Sequence, residues 1–307
     1  MTRFTIIVPC YNAARTLRAT LDALTGQTFT DWEALFIDDG SRDATSRILA
    51  LAARCDPRIR LLRNPGRGPS AARNHAARAE ACGEILAFCD ADDIWAADKL
   101  AQLDHAFTAD PEVDGLYGRV AFFAEDPARP STVSRLAPGP LSIPVLLGEN
   151  PVCTMSNMAM RRAAFLRSGG LDETLVHNED LEWLIRAVGG GARLRGLDAV
   201  LTHYRSSATG LSADLAAMKR GRQAALTTAR RFGHSPSRRS EAIFLRYLAR
   251  RALRLDQGRV LALGLMLQGL AQSPAGFLQD RRRGAMTVLG VLLSPLLPGP
   301  LRRRLFA

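Results

Sequence analysis

The sequence predicts a two-part α/β protein, a mostly parallel sheet flanked by helices and followed by a helical appendage. Three observations carry this. Short apolar runs alternate with helical segments of about 10–13 residues through the first third of the chain. Beyond residue 212 the alternation stops, and long arginine-studded helical segments follow. The charge divides at nearly the same place. Residues 1–214 carry 23 basic and 27 acidic groups, whereas residues 215–307 carry 18 basic and 3 acidic, within an overall net charge of +11. Such asymmetry points to a polyanionic partner for the tail.

The elements follow in order. Thr5–Val8, Ala34–Ile37, Ile59–Leu62 and Ile85–Phe88 read as strands, being short apolar runs. Between them, Arg15–Leu24, Ala44–Arg54 and Ser70–Ala81 read as helices. Leu116–Leu147 is broken by Pro127, Pro130, Pro138, Pro140 and Pro144, which predicts an irregular connection. Order returns at Cys153–Arg161, at a helix near Asp180–Ala187 and at a strand over Ala199–Tyr204. Ala216–Phe232, Arg238–Leu255 and Val260–Ala271 are helical by composition. The expected domains are therefore 1–212 and 213–307.

Composition excludes several classes. At 47% hydrophobic and 23% charged, the chain is neither disordered nor fibrous. No run of 18 apolar residues is present, so a transmembrane helix is not expected. The N-terminus enters a strand at once and lacks the zones of a signal peptide. Cys10, Cys55, Cys82, Cys89 and Cys153 form no C-x-x-C pair, which favours free thiols in a reducing compartment. The expected location is cytoplasmic.

In parallel sheets, ligands bind beyond the carboxyl ends of the strands. Those positions hold Pro9-Cys10-Tyr11-Asn12, Asp38-Asp39-Gly40-Ser41, Asn64–Gly68 and Asp90-Ala91-Asp92-Asp93. Clustered carboxylates repel unless a cation lies between them. Asp90–Asp93 therefore reads either as a site for Mg²⁺ or Mn²⁺ with phosphate oxygens, or as a solvated turn with Asp93 capping the next helix. Asp38–Ser41 on its own reads as a turn and cap. Gly66-x-Gly68-x-x-Ala71 mimics a dinucleotide fingerprint, but it follows the third strand rather than the first. It reads better as a tight loop feeding a helix that carries Arg73 and Asn74. Asn178-Glu179-Asp180 opens a helix, where acids also favour the dipole. A functional role needs Glu179 or Asp180 to face the Asp90–Asp93 edge. The histidines show no metal-ligand spacing, with His177 and His203 kept as weak candidates beside the acidic helix and the last strand.

Taken together, these residues form an ordered set. Val8-Pro9-Cys10-Tyr11-Asn12, Gln27-Thr28-Phe29, Ile37-Asp38-Asp39-Gly40-Ser41-x-Asp43, Ala72-Arg73-Asn74, Gly83-Glu84-Ile85 and Asp90-Ala91-Asp92-Asp93 come first. Gly170-Leu171-Asp172-Glu173, Glu179-Asp180-Leu181-Glu182-Trp183, Tyr204-Arg205 and Leu211-Ser212 follow. The chain over residues 4–212 resembles family 2 inverting glycosyltransferases, whose fold is GT-A. The resemblance implies that Pro9, Tyr11 and Asp39 surround the nucleotide base and ribose, and that Arg73 lies near the diphosphate. It further implies that Asp90 contacts the sugar nucleotide, Asp92 ligates the divalent metal (Mn²⁺ or Mg²⁺), and Asp180 is the general base. The implied donor is a nucleotide sugar, of UDP type, and the implied acceptor a cell-surface glycan or its lipid-linked precursor. Ser207 stands where the family often has histidine, so no metal contact is carried over there. The Q-x-x-R-W signature of processive synthases is absent, which implies addition of single sugars.

In the tail, Val260–Leu270 and Met286–Leu297 are apolar and bordered by Arg251, Arg254 and Arg259, by Arg281–Arg283 and by Arg302–Arg304. Apolar faces bordered by arginine suit an anionic membrane interface, here the inner face of the cell membrane. The competing reading is a helical bundle with a solvated basic face. A nucleic-acid-binding protein is the non-enzyme alternative, but the tail has few aromatics and no recognition motif, so nucleic acid is not expected. A carboxylate-pair glycoside hydrolase is the rival enzyme. It would not need an acidic cluster beside nucleotide-binding elements.

Overall fold

The computed structural model describes residues 2–206, 214–255 and 258–294. Ser207, the Leu211-Ser212 pair, the expected 212/213 boundary, Pro295, Pro298 and Arg302–Arg304 lie outside the described residues.

The elements run β1 (Phe4–Cys10), α1 (Leu17–Thr25), β2 (Trp32–Asp38), α2 (Thr45–Cys55), β3 (Ile59–Arg63) and α3 (Gly68–His75), with a π-helical turn at Ala76–Glu80. Then come β4 (Ile85–Phe88), β5 (Ile94–Trp95), α4 (Lys99–Ala109), β6 (Gly115–Phe123), β7 (Thr132–Val133) and α5 (Ile143–Leu146). A 3₁₀ turn at Met155–Asn157 leads into β8 (Met158–Arg161), followed by α6 (Arg162–Arg167), α7 (Glu179–Gly189) and β9 (Leu194–Arg205). The helical part contains α8 (Leu215–Arg231), α9 (Arg238–Leu255), α10 (Arg259–Gln272), α11 (Pro274–Phe277) and α12 (Arg281–Leu293).

The sheet order is β3-β2-β1-β4-β8-β6-β9-β5, with β7 added alongside β6. β1 to β4 are mutually parallel, so their carboxyl ends and the loops named above share one edge. β8 runs antiparallel to both β4 and β6, and β9 pairs parallel with β6. The core beneath that edge is aliphatic and aromatic, with Phe4, Ile6, Val8, Ala34, Phe36, Ile85 and Ala87 fully buried. Gly83 shows why the Gly-Glu-Ile turn needs glycine. A Cβ there would lie 2.5 Å from the Thr5 amide nitrogen, and the Gly83 amide itself donates to Thr5 Oγ1 at 2.8 Å.

Two expectations are corrected. The stretch from Leu116 is not an irregular connection at its start, because β6 is a buried interior strand held by β8 and β9. The prolines all come after β6 ends. Asp93 caps no helix. It precedes β5, and α4 begins only after Asp98.

The chain divides into two compact units. The first comprises Met1–Leu141 and Pro151–Arg205, and the second Ser142–Asn150 and Ser206–Ala307. The short Ser142–Asn150 segment groups with the helical unit through buried arginines. Arg222 donates to the Leu147 carbonyl at 2.9 Å, and Glu149 accepts from Arg246 at 3.1 Å and from Arg283 at 3.0 Å. Burial, then repulsion from Arg283, pulls the Arg250 guanidinium down to about 10. The helical unit has its own core, including Leu245, Leu248, Ala249, Leu265, Met266 and Phe277.

Candidate active site

Parallel strands deliver four loops to one edge, and hydrogen bonds lock them together. The Asp39 amide donates to the Cys10 carbonyl at 2.8 Å, joining the first two loops. Both carboxylate oxygens of Asp39 are held from the third loop, Oδ1 by Asn64 Nδ2 at 2.7 Å and Oδ2 by the Gly68 amide at 2.8 Å. Gly68 sits at φ +81°, which favours glycine. Its amide is thus spent on Asp39, the physical reason the glycine pattern of this loop is architectural. Asn12, at φ 49°, donates its amide to Ser41 Oγ and accepts from the Arg42 amide. Tyr11 is left 59% exposed beside these loops, and Pro9 is half-buried in β1.

The acidic loop after β4 separates its three carboxylates. Asp90 Oδ1 accepts from Arg73 Nη2 at 2.5 Å and Oδ2 from Thr154 Oγ1 at 3.2 Å, while its amide donates to Ser156 Oγ at 2.8 Å. Asp93 is fully buried, and its Oδ1 accepts from the Arg205 amide at 2.9 Å. Arg205 Nε in turn donates to the Asp92 carbonyl at 3.0 Å. Asp92, half-buried like Asp90, has a carboxylate whose pKa is pushed up to about 6, by burial first and by the Asp90 charge second. Burial and the charges of Asp92 and Asp90 raise Asp93 well above the usual carboxylate range. Beneath the loop, buried Lys99 donates to the Ser156 carbonyl at 2.6 Å and to Thr202 Oγ1 at 3.0 Å. Desolvation lowers its pKa to about 7.

Helix α7 brings the last acids to the same place. Its Trp183 is fully buried against Phe88 of β4 and Phe165 of α6, with ring centroids 6.4 and 5.5 Å away. Aromatic contacts of this kind add about 0.5–1.5 kcal/mol each beyond the area buried. Phe88 lies two residues before Asp90, and Trp183 three after Asp180, so this packing sets the distance between the acidic loop and the helix start. Asn74 fastens the approach. Its Nδ2 donates to the Leu171 carbonyl and its Oδ1 accepts from the Leu171 amide, each at 2.8 Å. Gly170 at φ +74° passes so close that a Cβ would lie 2.5 Å from Asn74 Oδ1.

The result is one charge cluster. The Arg73 guanidinium, almost fully buried, lies 2.5 Å from Asp90 and 3.6 Å from Glu179. Glu179 is pushed up to about 7 by burial and by Asp180. Asp180 is raised by burial and by Asp90, against the lowering influence of the Leu181 amide and Arg73. Among the expected site residues, Arg73, Asp90, Asp92 and Asp180 thus interact directly or through one another's charge. Pro9, Tyr11 and Asp39 form a second group at the ends of β1 and β2, and the Cys10 thiol feels both Asp38 and Asp90. Sequence reasoning missed Thr154, Ser156 and Lys99, which belong to no motif and meet the acidic loop only through the antiparallel return of β8 and the start of α4. His203 lies within β9, paired with Ile94.

The donor set suits a hard divalent cation. No group of three or more His, Cys, Asp or Glu side chains converges as a cage among the described residues. Asp90 is held by Arg73 and Thr154 and Asp93 holds the Arg205 amide, so Asp92 is the carboxylate of the three that could take part in such a site. Mg²⁺-type sites commonly use one or two carboxylates, with substrate phosphates and water completing the shell.

A fold of this kind, with acidic and polar loops on the carboxyl edge of a mostly parallel sheet, places a ligand site at that edge. The profile of glycosyl transferase family 2 matches residues 5–168, and the chain belongs to that family. It is 43% identical over 97 residues to the UDP-Glc:alpha-D-GlcNAc-diphosphoundecaprenol beta-1,3-glucosyltransferase WfgD of Escherichia coli, covering 31% of this chain and 37% of that protein. It is 33% identical over 153 residues to the succinoglycan biosynthesis protein ExoW of Rhizobium meliloti, covering 47% of this chain and 48% of the relative. The chain therefore spans less than half the length of these two relatives. Among solved structures, the mannosyltransferase PcManGT of Pyrobaculum calidifontis, in complex with GDP-Man and Mn²⁺, superposes with a TM-score of 0.61 at 22% identity. That match covers 99% of this chain and 84% of the mannosyltransferase. The fold is GT-A, as the resemblance implied.

Proposed function

We propose that the protein is an inverting, metal-dependent glycosyltransferase that adds single sugars from a UDP-sugar to a hydroxyl of a cell-surface glycan or its lipid-linked precursor, working at an anionic membrane surface. The observation that carries the reading is the Arg73 bridge, which joins the donor-loop carboxylate Asp90 to the acidic start of α7. Inversion needs a base on one face of the anomeric carbon and a stabilised leaving group on the other. Asp180 takes the proton of the acceptor hydroxyl. Its raised pKa makes it a stronger base than a solvated carboxylate. Arg73 neutralises charge on the departing diphosphate. Asp92 holds the divalent ion, which would supply further charge neutralisation at the phosphates. Pro9 and exposed Tyr11 pack on the base, and Asp39, pre-oriented by Asn64 and Gly68, accepts from it. Residues 1–212 would form the catalytic domain. Support for the substrate class comes from WfgD and ExoW, whose names specify a diphosphoundecaprenol acceptor and succinoglycan biosynthesis.

The test is Asp180→Asn. A panel of UDP-sugars with Mn²⁺ is screened by thermal shift, and the stabilising donor is then used in transfer assays. The variant is expected to keep the donor-induced shift and lose transfer. Full transfer by Asp180→Asn would remove the base assignment.

A further inference from the structure

The helical unit carries an apolar surface on α12. This helix buries Gly284, Thr287, Gly290 and Val291, and turns Arg281, Arg282, Ala285, Leu289, Leu292 and Leu293 outward. Arg281, Ala285, Leu289 and Leu292 follow i, i+4, i+8, i+11 spacing, so they line one stripe about 16 Å long. Leu289 is 53% and Leu292 58% exposed, although each belongs to a well-packed helix. At its N-terminal end the stripe opens into a groove lined by Pro274, Ala275, Leu278, Gln279, Arg281 and Ala285. The apolar surface therefore continues onto α11, with two exposed arginines beside it.

We propose that this α11–α12 face is the surface by which the protein lies on an anionic phospholipid bilayer. Leu278, Leu289 and Leu292 enter the acyl boundary, while Arg281 and Arg282 meet lipid phosphates. The assignment rests on the membrane part of the reading above and adds which side chains make the contact. Charge complementarity selects the occupant. Arg281 and Arg282 are exposed beside the stripe, so a second copy docked by the same face would bring like charge against like, whereas an anionic surface neutralises it. The contact lies in the plane of the interface, since no described helix is long and apolar enough to cross a membrane. Helix α10 also exposes Val260, Leu261, Leu263 and Leu267, with Arg259 at its start, and is the rival face that the test below separates from α12.

The test is flotation of the full chain with vesicles of phosphatidylglycerol and phosphatidylcholine, against pure phosphatidylcholine. Wild type is expected to float with the anionic vesicles. Leu289→Gln/Leu292→Gln should lower partitioning about 25-fold, from about fivefold per half-buried leucine. Arg281→Gln/Arg282→Gln should lower it by about as much at low salt, with a smaller loss at high salt. Both pairs are surface changes, and an unchanged melting temperature verifies folding. As an independent readout, Leu292→Trp should gain blue-shifted emission on anionic vesicles only. If wild type floats with neither vesicle, the membrane reading itself fails. If wild type floats and the Leu289/Leu292 pair floats equally, the face is wrong while the membrane reading stands, and loss in Val260→Gln/Leu263→Gln would move the contact to α10. A dimer in sedimentation that dissociates in Leu289→Gln/Leu292→Gln would give the face to a second copy and overturn the proposal.

Discussion

Replacing Arg73 with glutamine should move the acid limb of the transfer reaction to higher pH. The Arg73 guanidinium is 3.6 Å from Glu179 and lowers the pKa of both Glu179 and Asp180. At that separation, with an effective dielectric near 20, the attraction is about 4–5 kcal/mol before desolvation is counted. Cations this close to a carboxylate lower its pKa by roughly 1–3 units. Arg73 and Glu179 are both largely buried, so solvent screens the interaction little. Without the cation, burial and the Asp90 charge are opposed only by backbone hydrogen bonds, and the base needs a higher pH to lose its proton. The limb should rise by about 1–2 pH units, or about 1.4–2.7 kcal/mol. The assay is kcat against pH at saturating donor and acceptor, because loss of a phosphate contact would also raise KM. Arg73→Lys keeps the charge and should keep the limb near its wild-type position. A limb that stays put in Arg73→Gln would refute the coupling between Arg73 and the α7 acids.

Other outcomes follow from the same geometry. Glu179 has a folded-state pKa of about 7 against an ordinary 4.5, so its contribution to stability is full below pH 4.5 and lost as pH rises through 7. Glu179→Gln should therefore melt higher than wild type at pH 8, by up to about 3 kcal/mol of stability, with the gap closing by pH 4 in a Tm-versus-pH series. Asp92→Asn should abolish the Mn²⁺-dependent part of donor binding, measured by calorimetry with and without the metal, while leaving the fold intact. Gly83→Ala forces a methyl against the Thr5 backbone and should cost about 1–3 kcal/mol in urea unfolding.

Much of the first unit was legible because its signals are local. β1, β2 and β4 are largely buried on both faces, so each appears as an apolar run, and the intervening helices show their own period. Their loops could be found because the carboxyl ends of parallel strands are where such sheets bind ligands. β6 was obscured. Its run contains Gly115, Gly118 and Arg119, and a proline-rich stretch follows, while its place is fixed by distant partners in β8 and β9. Asp93 illustrates the same limit at the level of one side chain. Asp90, Asp92 and Asp93 are alike as letters, yet one is paired to Arg73, one ties down Arg205, and one has its carboxyl pushed up to about 6 by burial and the Asp90 charge.

The sequence by itself determined the α/β class, the four loops of the candidate site, the acids in two of them and the concentration of charge in the tail. Each is a matter of residue type and local spacing. Tertiary structure alone decided that Arg73 joins Asp90 to Glu179, that Asn74 fastens the Gly170–Leu171 turn, and that Ser142–Asn150 belongs with the helical unit. It also decided which arginines of the basic tail are buried against Glu149 and which border the exposed leucines of α12. These are contacts between residues tens to more than a hundred positions apart, and no local period encodes them. They form only when burial of the apolar faces brings the elements together.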